Sequence, residues 1–264
     1  MDFFILSLSL RMLLTSAFVL AMGAIIALAR PSFAAIAIAM PVVIGPGFVI
    51  LALEQSPDFI LRAAEDGLGA LAGTVAFALA VALLAGRVRA QIALMLALVI
   101  WLLVVLATGP AQGLIGNLAA FTLVYVPGVW ILRARAVAQR RPVLWSPRAE
   151  LPRAVSAGLL VGVVTLGADT LGPTFSGTLI ALPVGMLFVA SGVLRSSDPQ
   201  RVRDVMSAGA RGAAALAVFL LCVWWLVMGG LAPLSAVLAA IVPSVGSAIL
   251  LAFATRRVAV APER

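Results

Sequence analysis

The chain has neither lysine nor histidine, and only one cysteine and one tyrosine among 264 residues. Each absence removes a class of chemistry. Without histidine there is no Ser-His-Asp triad, no histidine-ligated metal and no imidazole proton relay. Without lysine there is no Gly-x-x-x-x-Gly-Lys-[Ser/Thr] phosphate loop, so the chain carries no ATPase of that type. Cys222, alone in the apolar run AVFLLCVWW, has no partner for an intramolecular disulfide and reads as a small buried hydrophobe. No paired carboxylates fall at one bilayer depth. The expectation is a protein that is not an enzyme and uses no cofactor or metal.

Charge is scarce as well. Charged residues make up 11% and hydrophobic residues 64% of the chain, with a mean hydropathy of +1.20. A soluble domain is nearer half apolar and a quarter charged, so the composition predicts an all-α polytopic membrane protein. All 18 basic residues are arginine and the net charge is +8. In such a chain arginines mark cytoplasmic loops rather than a nucleic-acid surface. The expected partners are membrane lipids and a small-molecule or lipid substrate, with a homo-oligomer or a membrane subunit as further candidates and nucleic acid excluded.

About 20 apolar residues cross a bilayer. Runs between charges and Pro/Gly breaks predict nine transmembrane helices, near 12–29, 32–53, 66–86, 90–108, 112–132, 154–171, 174–194, 208–228 and 232–254. The first is read as a retained helix, since no basic n-region or cleavage signature accompanies it. With the N-terminus outside and the C-terminus cytoplasmic, the inner loops hold sixteen of the 18 arginines; only Arg11 and Arg62 face out. Removing helix 112–132 would put Arg195, Arg201, Arg203 and Arg211 on the wrong side. The Arg- and Pro-rich segment 133–153 is then a cytoplasmic linker, suited to anionic headgroups. The setting this implies is a bacterial inner (plasma) membrane.

The halves repeat. At a constant offset of 142, Arg11 pairs with Arg153, Pro31 with Pro173, Phe33 with Phe175, Pro41 with Pro183, Pro57 with Pro199, Gly67 with Gly209 and Phe77 with Phe219. Matches among Ala, Val and Leu are cheap in this composition, whereas prolines, phenylalanines and an arginine in one register are not. The predicted organisation is a first four-helix repeat in 1–110, a linking transmembrane helix and basic linker in 111–152, and a second four-helix repeat in 153–264. The unpaired linking helix makes the second copy enter from the opposite side, giving an inverted-topology repeat. Such folds bind substrate near the midplane beside broken helices.

Two breaks fit that expectation. MPVVIGPGF, residues 40–48, sets Pro41, Gly45, Pro46 and Gly47 inside the second span; Pro183 and Gly185 hold the equivalent place in the seventh. Pro41 and Pro183 lie about ten residues in, roughly 15 Å deep at 1.5 Å per residue. An ordinary packed kink is the competing reading, since membrane helices tolerate proline. Thr174 and Ser176, opening the seventh span, either line a path or cap and back-bond the helix. Asp169 is the acid nearest a span interior: a candidate for ion coupling, or part of a solvated outer turn. Glu65 and Asp66 read as acids preceding the third span and suiting its N-terminal dipole. Asn117 and Gln112 serve either helix contact, the favoured reading, or a substrate.

The unit PTFSGTLIALPVG, followed by an Asp-Pro loop and an Arg/Gly-containing third helix, resembles the small GlpM-type bacterial membrane proteins, here duplicated and inverted. That resemblance covers about 95 residues per copy and implies a membrane role without a defined activity. The Pro31-Ser32-Phe33 entry is also similar to fusaric-acid-resistance-type aromatic acid exporters. Arg62 sits too far from Gly69 for their Arg-Gly-x-x-x-Gly pattern, and the large cytosolic domain is absent. Neither resemblance carries binding residues across.

The leading expectation is a secondary, non-ATP transporter or exporter of a small neutral, amphipathic or weakly anionic solute, alternating between inverted repeats. A non-transporting subunit that scaffolds or assembles a partner complex is the alternative, and lipid translocation another. The predicted substrate residues are Pro41, Gly45, Pro46, Gly47, Thr174, Ser176, Pro183 and Gly185, with Asp169 as coupling candidate.

Overall fold

The structure is a computed structural model that describes Ser9 and residues 12–17, 19–21, 44–108, 113–133, 147–194 and 198–258. These residues are almost wholly helical and include no strand. The helices are α1 (Ile44–Glu54), α2 (Pro57–Leu84), α3 (Ala90–Thr108), α4 (Gly113–Arg133), α5 (Pro147–Ile180), α6 (Val184–Leu194), α7 (Pro199–Met228) and α8 (Pro233–Val258). A shorter apolar stretch, Met12–Ala21, lies against α5 through Val19, Ala154 and Ala157.

Six helical segments are long and apolar enough to cross a membrane: Pro57–Leu84, Ala90–Thr108, Gly113–Leu132, Ala154–Leu194, Pro199–Met228 and Pro233–Leu251. Their packing agrees with lipid as the surrounding solvent. Met95, Leu103 and Leu106 on α3, Ile115 and Leu123 on α4, and Val242 on α8 are all more than half exposed. Water would penalise an apolar surface of that extent, whereas lipid tails cover it without cost. The chain is a multi-pass membrane protein.

The expected third and eighth spans begin nine residues earlier than hydropathy suggests. Ser56 accepts from the Phe59 amide at 3.3 Å and Pro57 occupies the first turn of α2. Asp198 accepts from the Gln200 amide at 3.0 Å and from that of Arg201 at 3.3 Å, ahead of Pro199 in α7. Both starts combine an N-cap acceptor with a proline whose missing N–H costs nothing there. Glu65 and Asp66 therefore lie inside α2, in its third turn, and do not precede it.

α2 is the central helix, with 83% of its most apolar window buried against α3, α4, α5 and α7. Its principal partner is α7. Trp224 near the end of α7 donates to Glu65 near the start of α2 at 2.7 Å, while Arg203 near the start of α7 donates to the Ala82 carbonyl near the end of α2 at 3.4 Å. The two helices are thus antiparallel. Small residues let the backbones approach, which is what drives helix association in lipid. At one end of the pair Gly86, with φ of 76°, turns the chain where a Cβ would lie 2.7 Å from Pro199. Left-handed backbone and lack of room both call for glycine.

The expected sixth and seventh spans form one kinked run. At Gly172 (φ 79°) the chain bends so sharply that Phe175 reaches the space beside Gly167, 2.6 Å from where a Cβ would stand. In a straight helix residues eight apart are separated by about 12 Å. A second interruption at 181–183 separates α5 from α6. The expected spans at 12–29 and 32–53 fall partly outside the described residues, and Pro41 lies wholly outside them.

Candidate functional site

A helical stretch of about eight residues, some 12 Å long, separates the Gly172 bend from the interruption that ends at Pro183. A continuous helix would pair the Ala181 carbonyl with the Gly185 amide. Here Ala181 accepts from the Thr74 hydroxyl on α2 at 2.8 Å, in a fully buried contact. The first bond of α6 runs from the Leu187 amide to the Pro183 carbonyl at 2.8 Å. Gly185 and Met186 consequently sit in the first turn, where amides have no carbonyl within the helix and form the positive end of its dipole.

The first half meets the second at this point. A Cβ on Gly47 would stand 3.1 Å from Cδ1 of Ile180, the last helical residue before the interruption. Phe48 beside it packs edge-on against Phe219 of α7, with ring centroids 5.9 Å apart. Gly45, Gly47 and Pro183 are buried, while Pro46 and Gly185 are half-buried. The Gly-Pro-Gly of the first half and the proline of the second, read separately in the sequence, therefore converge on one packed junction.

Nearer the acidic end is a polar cluster around Asp66. Thr174, on the half-helix that follows the Gly172 bend, hydrogen-bonds the half-buried Asp66 carboxylate. The Asn117 carboxamide also faces it, although its Nδ2 makes no hydrogen bond of regular geometry. Asn117 is 2% exposed and its Oδ1 occupies the room a Cβ on Gly69 would need, so it is the α4–α2 contact residue the sequence implied. Arg62 lies one turn earlier on α2. Glu65 points to the other side, where it receives the Trp224 indole N–H.

Ser176 is completely buried and donates to the Gly172 carbonyl at 3.1 Å, the back-bonding role its position implied. Asp169 is exposed and accepts from Gln55 at 2.8 Å, tying the end of α5's first arm to the chain just after α1. It lies at the periphery, whereas Asp66 is enclosed by α2, α4 and α5.

No family model, curated protein or solved structure matches this chain. The site is therefore read from its own chemistry. The arrangement offers a titratable carboxylate on the central helix, a hydroxyl on the broken helix bound to it, and first-turn amides some two turns deeper. Among the described residues no group of three or more His, Cys, Asp or Glu is placed to hold a metal. Asp66 was legible as an acid next to a span but not as a member of the site. Its signal was Ser56-Pro57-Asp58, a helix start that places residue 66 well inside the helix.

Proposed function

We propose that the chain is a secondary transporter of the bacterial inner membrane, moving a small amphipathic or weakly anionic solute by exchange between two inverted four-helix repeats. The reading includes nine spans, an external N-terminus and a cytoplasmic C-terminus. One observation carries it. The antiparallel α2–α7 pair joins helices related by the 142-residue offset of the sequence repeat, and exchanging repeat-mates carries the Glu65–Trp224 contact to positions 207 and 82, one turn from the Arg203–Ala82 contact. Two repeat-mate helices whose contacts survive that exchange to within a turn are related by an approximate two-fold axis. If α2 runs inward, α7 runs outward, which is the relation alternating access uses.

Other features support the same reading. α1 and α6 are both 11-residue half-helices at nearly equivalent positions, and α1 contacts α8 as their respective counterparts α6 and α3 contact each other. Arg87, Arg89, Arg133, Arg201 and Arg203 lie at the end of the bundle opposite Glu54, Asp58, Glu65, Asp66 and Asp169, so the arginine end is cytoplasmic by the positive-inside rule. The positive end of α6 at membrane depth favours an anionic group on the solute. Asp66 takes the coupling role assigned from sequence to Asp169. Protonation removes the charge that holds Thr174 and so releases the broken helix from α2.

Proteoliposomes with an internal pH dye test this. Addition of amphipathic monoanions is expected to produce saturable proton-coupled flux that Asp66→Asn abolishes. Absence of flux across such a panel, with or without a pH gradient, contradicts the proposal. The close packing around Pro183 favours one other reading, a non-transporting subunit; stoichiometric co-purification of a partner together with absent flux would select it.

A further inference from the structure

The two halves are tied together differently at the two ends of the bundle. Among the described residues, three side-chain hydrogen bonds join the first half to the second at the acidic end. Gln55 donates to Asp169 at 2.8 Å, Trp224 donates to Glu65 at 2.7 Å, and Thr174 bonds Asp66. Beside them Gly177 lies against the Ala63 carbonyl with no room for a Cβ. At the arginine end the halves share the 3.4 Å bond from Arg203 to the Ala82 carbonyl, and a cavity of about 240 Å³ opens between Leu94 of α3 and Ser191 of α6. We infer that the ties at the acidic end form a latch that holds the solute-free chain closed to the outside, so that it is loaded from the cytoplasm.

The one-sidedness of the latch rests on the inverted-repeat reading proposed above. Exchanging the halves moves each contact by 142 residues to the other end of the bundle. Closure at the arginine end would then use Ser197 with Ala27, Ser207 with Ala82, and Ala208 with Ser32. Every one of these pairs includes an alanine, which has neither donor nor acceptor on its side chain. The counterpart of Gly177 is Ala35, which carries the Cβ that the close approach excludes. Ser207, the counterpart of Glu65, is 2% exposed, and its hydroxyl has no hydrogen-bond partner among the described residues. Arg203 does not redress the balance: it already bonds Ala82 in this state, and its counterpart Leu61 has no donor.

Magnitudes make the bias large. One net hydrogen bond shifts a two-state ratio by about fivefold, so Asp66–Thr174 and Glu65–Trp224 together shift it by about 25-fold. The exposed Gln55–Asp169 pair adds less, because water competes for both groups. Such a bias sets which side of an empty carrier is open, while the solute and ion gradients set the direction of net flux. Solute must supply differential contacts in the outward-open state to overcome it.

Distances between spin-label pairs, measured by double electron–electron resonance on the full chain in nanodiscs without solute, read the latch without flux. In a Cys222→Ala background, Asp58→Cys with Thr170→Cys reports the acidic end and Arg87→Cys with Arg201→Cys the arginine end; all four native side chains are exposed. The latched chain is expected to show one short distance at the acidic end. Thr174→Val should raise the ratio of a longer distance to the short one about fivefold, with the arginine-end distance shortening in step. The double variant Glu65→Leu/Trp224→Phe, which removes both partners and strands neither, should do about as much. Gln55→Ala changes only an exposed side chain and should act in the same direction, about twofold, so the test does not depend on the buried variants folding. An acidic-end distribution unchanged in these variants, or already long without them, overturns the latch whatever the flux assay gives. Lengthening at the acidic end with an unmoved arginine end upholds the latch and counts against the exchange of inverted repeats.

Discussion

Thr74 donates its hydroxyl proton to the carbonyl of Ala181 at 2.8 Å, joining the middle of the central helix to the point where the second half's membrane helix breaks. The bond satisfies a carbonyl that the interruption at Pro183 frees, in a place where lipid offers no replacement donor. Thr74→Val keeps the shape and removes the donor. It is expected to lower stability by about 1–2 kcal/mol, read as a fall in melting temperature in detergent, with Thr74→Ser close to wild type.

The half-helix after Gly172 can lie where it does only because Gly177 presses on the backbone of Ala63. A Cβ at Gly177 meets the Ala63 carbonyl, which cannot rotate away. Gly177→Ala should destabilise the protein by roughly 1–3 kcal/mol. Gly192→Ala, which would meet nothing within 4 Å, should be neutral or slightly stabilising in the same thermal assay.

Glu65 receives the Trp224 indole N–H at 2.7 Å across the α2–α7 interface. Trp224→Phe strands a half-buried acid and is expected to cost about 1–3 kcal/mol. Glu65→Gln retains a carbonyl acceptor, so its effect with Trp224 intact should be small. A double-mutant cycle with a coupling energy near zero would show that the pair does not hold the two helices together.

Asp66 and Asp169 differ in surroundings more than in sequence context. Asp66 binds Thr174 within the bundle, whereas Asp169 meets Gln55 at the surface. Asp66→Asn should abolish proton-coupled flux in proteoliposomes while the protein remains folded, and Asp169→Asn should leave flux near wild type. The reverse pattern would return the coupling role to Asp169.

One helix break was legible in the sequence, at Pro183, whereas Gly45, Pro46 and Gly47 lie within α1 and Pro127, Pro152 and Pro243 lie inside helices that continue through them. Pro183 interrupts its helix where its register with Pro41 predicted, and Gly47 meets Ile180 beside it. Helix starts were less legible, because hydropathy marks the part of a helix that lies in hydrocarbon and not where the helix begins. Ser56-Pro57-Asp58 and Asp198-Pro199 carry the local start signals, yet their charges resemble loop composition. For that reason Glu65 and Asp66 read as residues before a helix and not as part of the site. The Thr74–Ala181 and Asp66–Thr174 contacts each join residues more than 100 positions apart, and no local pattern in either segment identifies its partner.

The inverted relation of the two halves is the account's central claim, and membrane-impermeant thiol labelling in intact cells tests it most directly. Asp58 and Arg201 lie in the first turns of the repeat-mates α2 and α7, and both are exposed. In a Cys222→Ala background, Asp58→Cys should label from outside, and Arg201→Cys should label only after the membrane is permeabilised. Labelling of both positions from the same side would contradict the account.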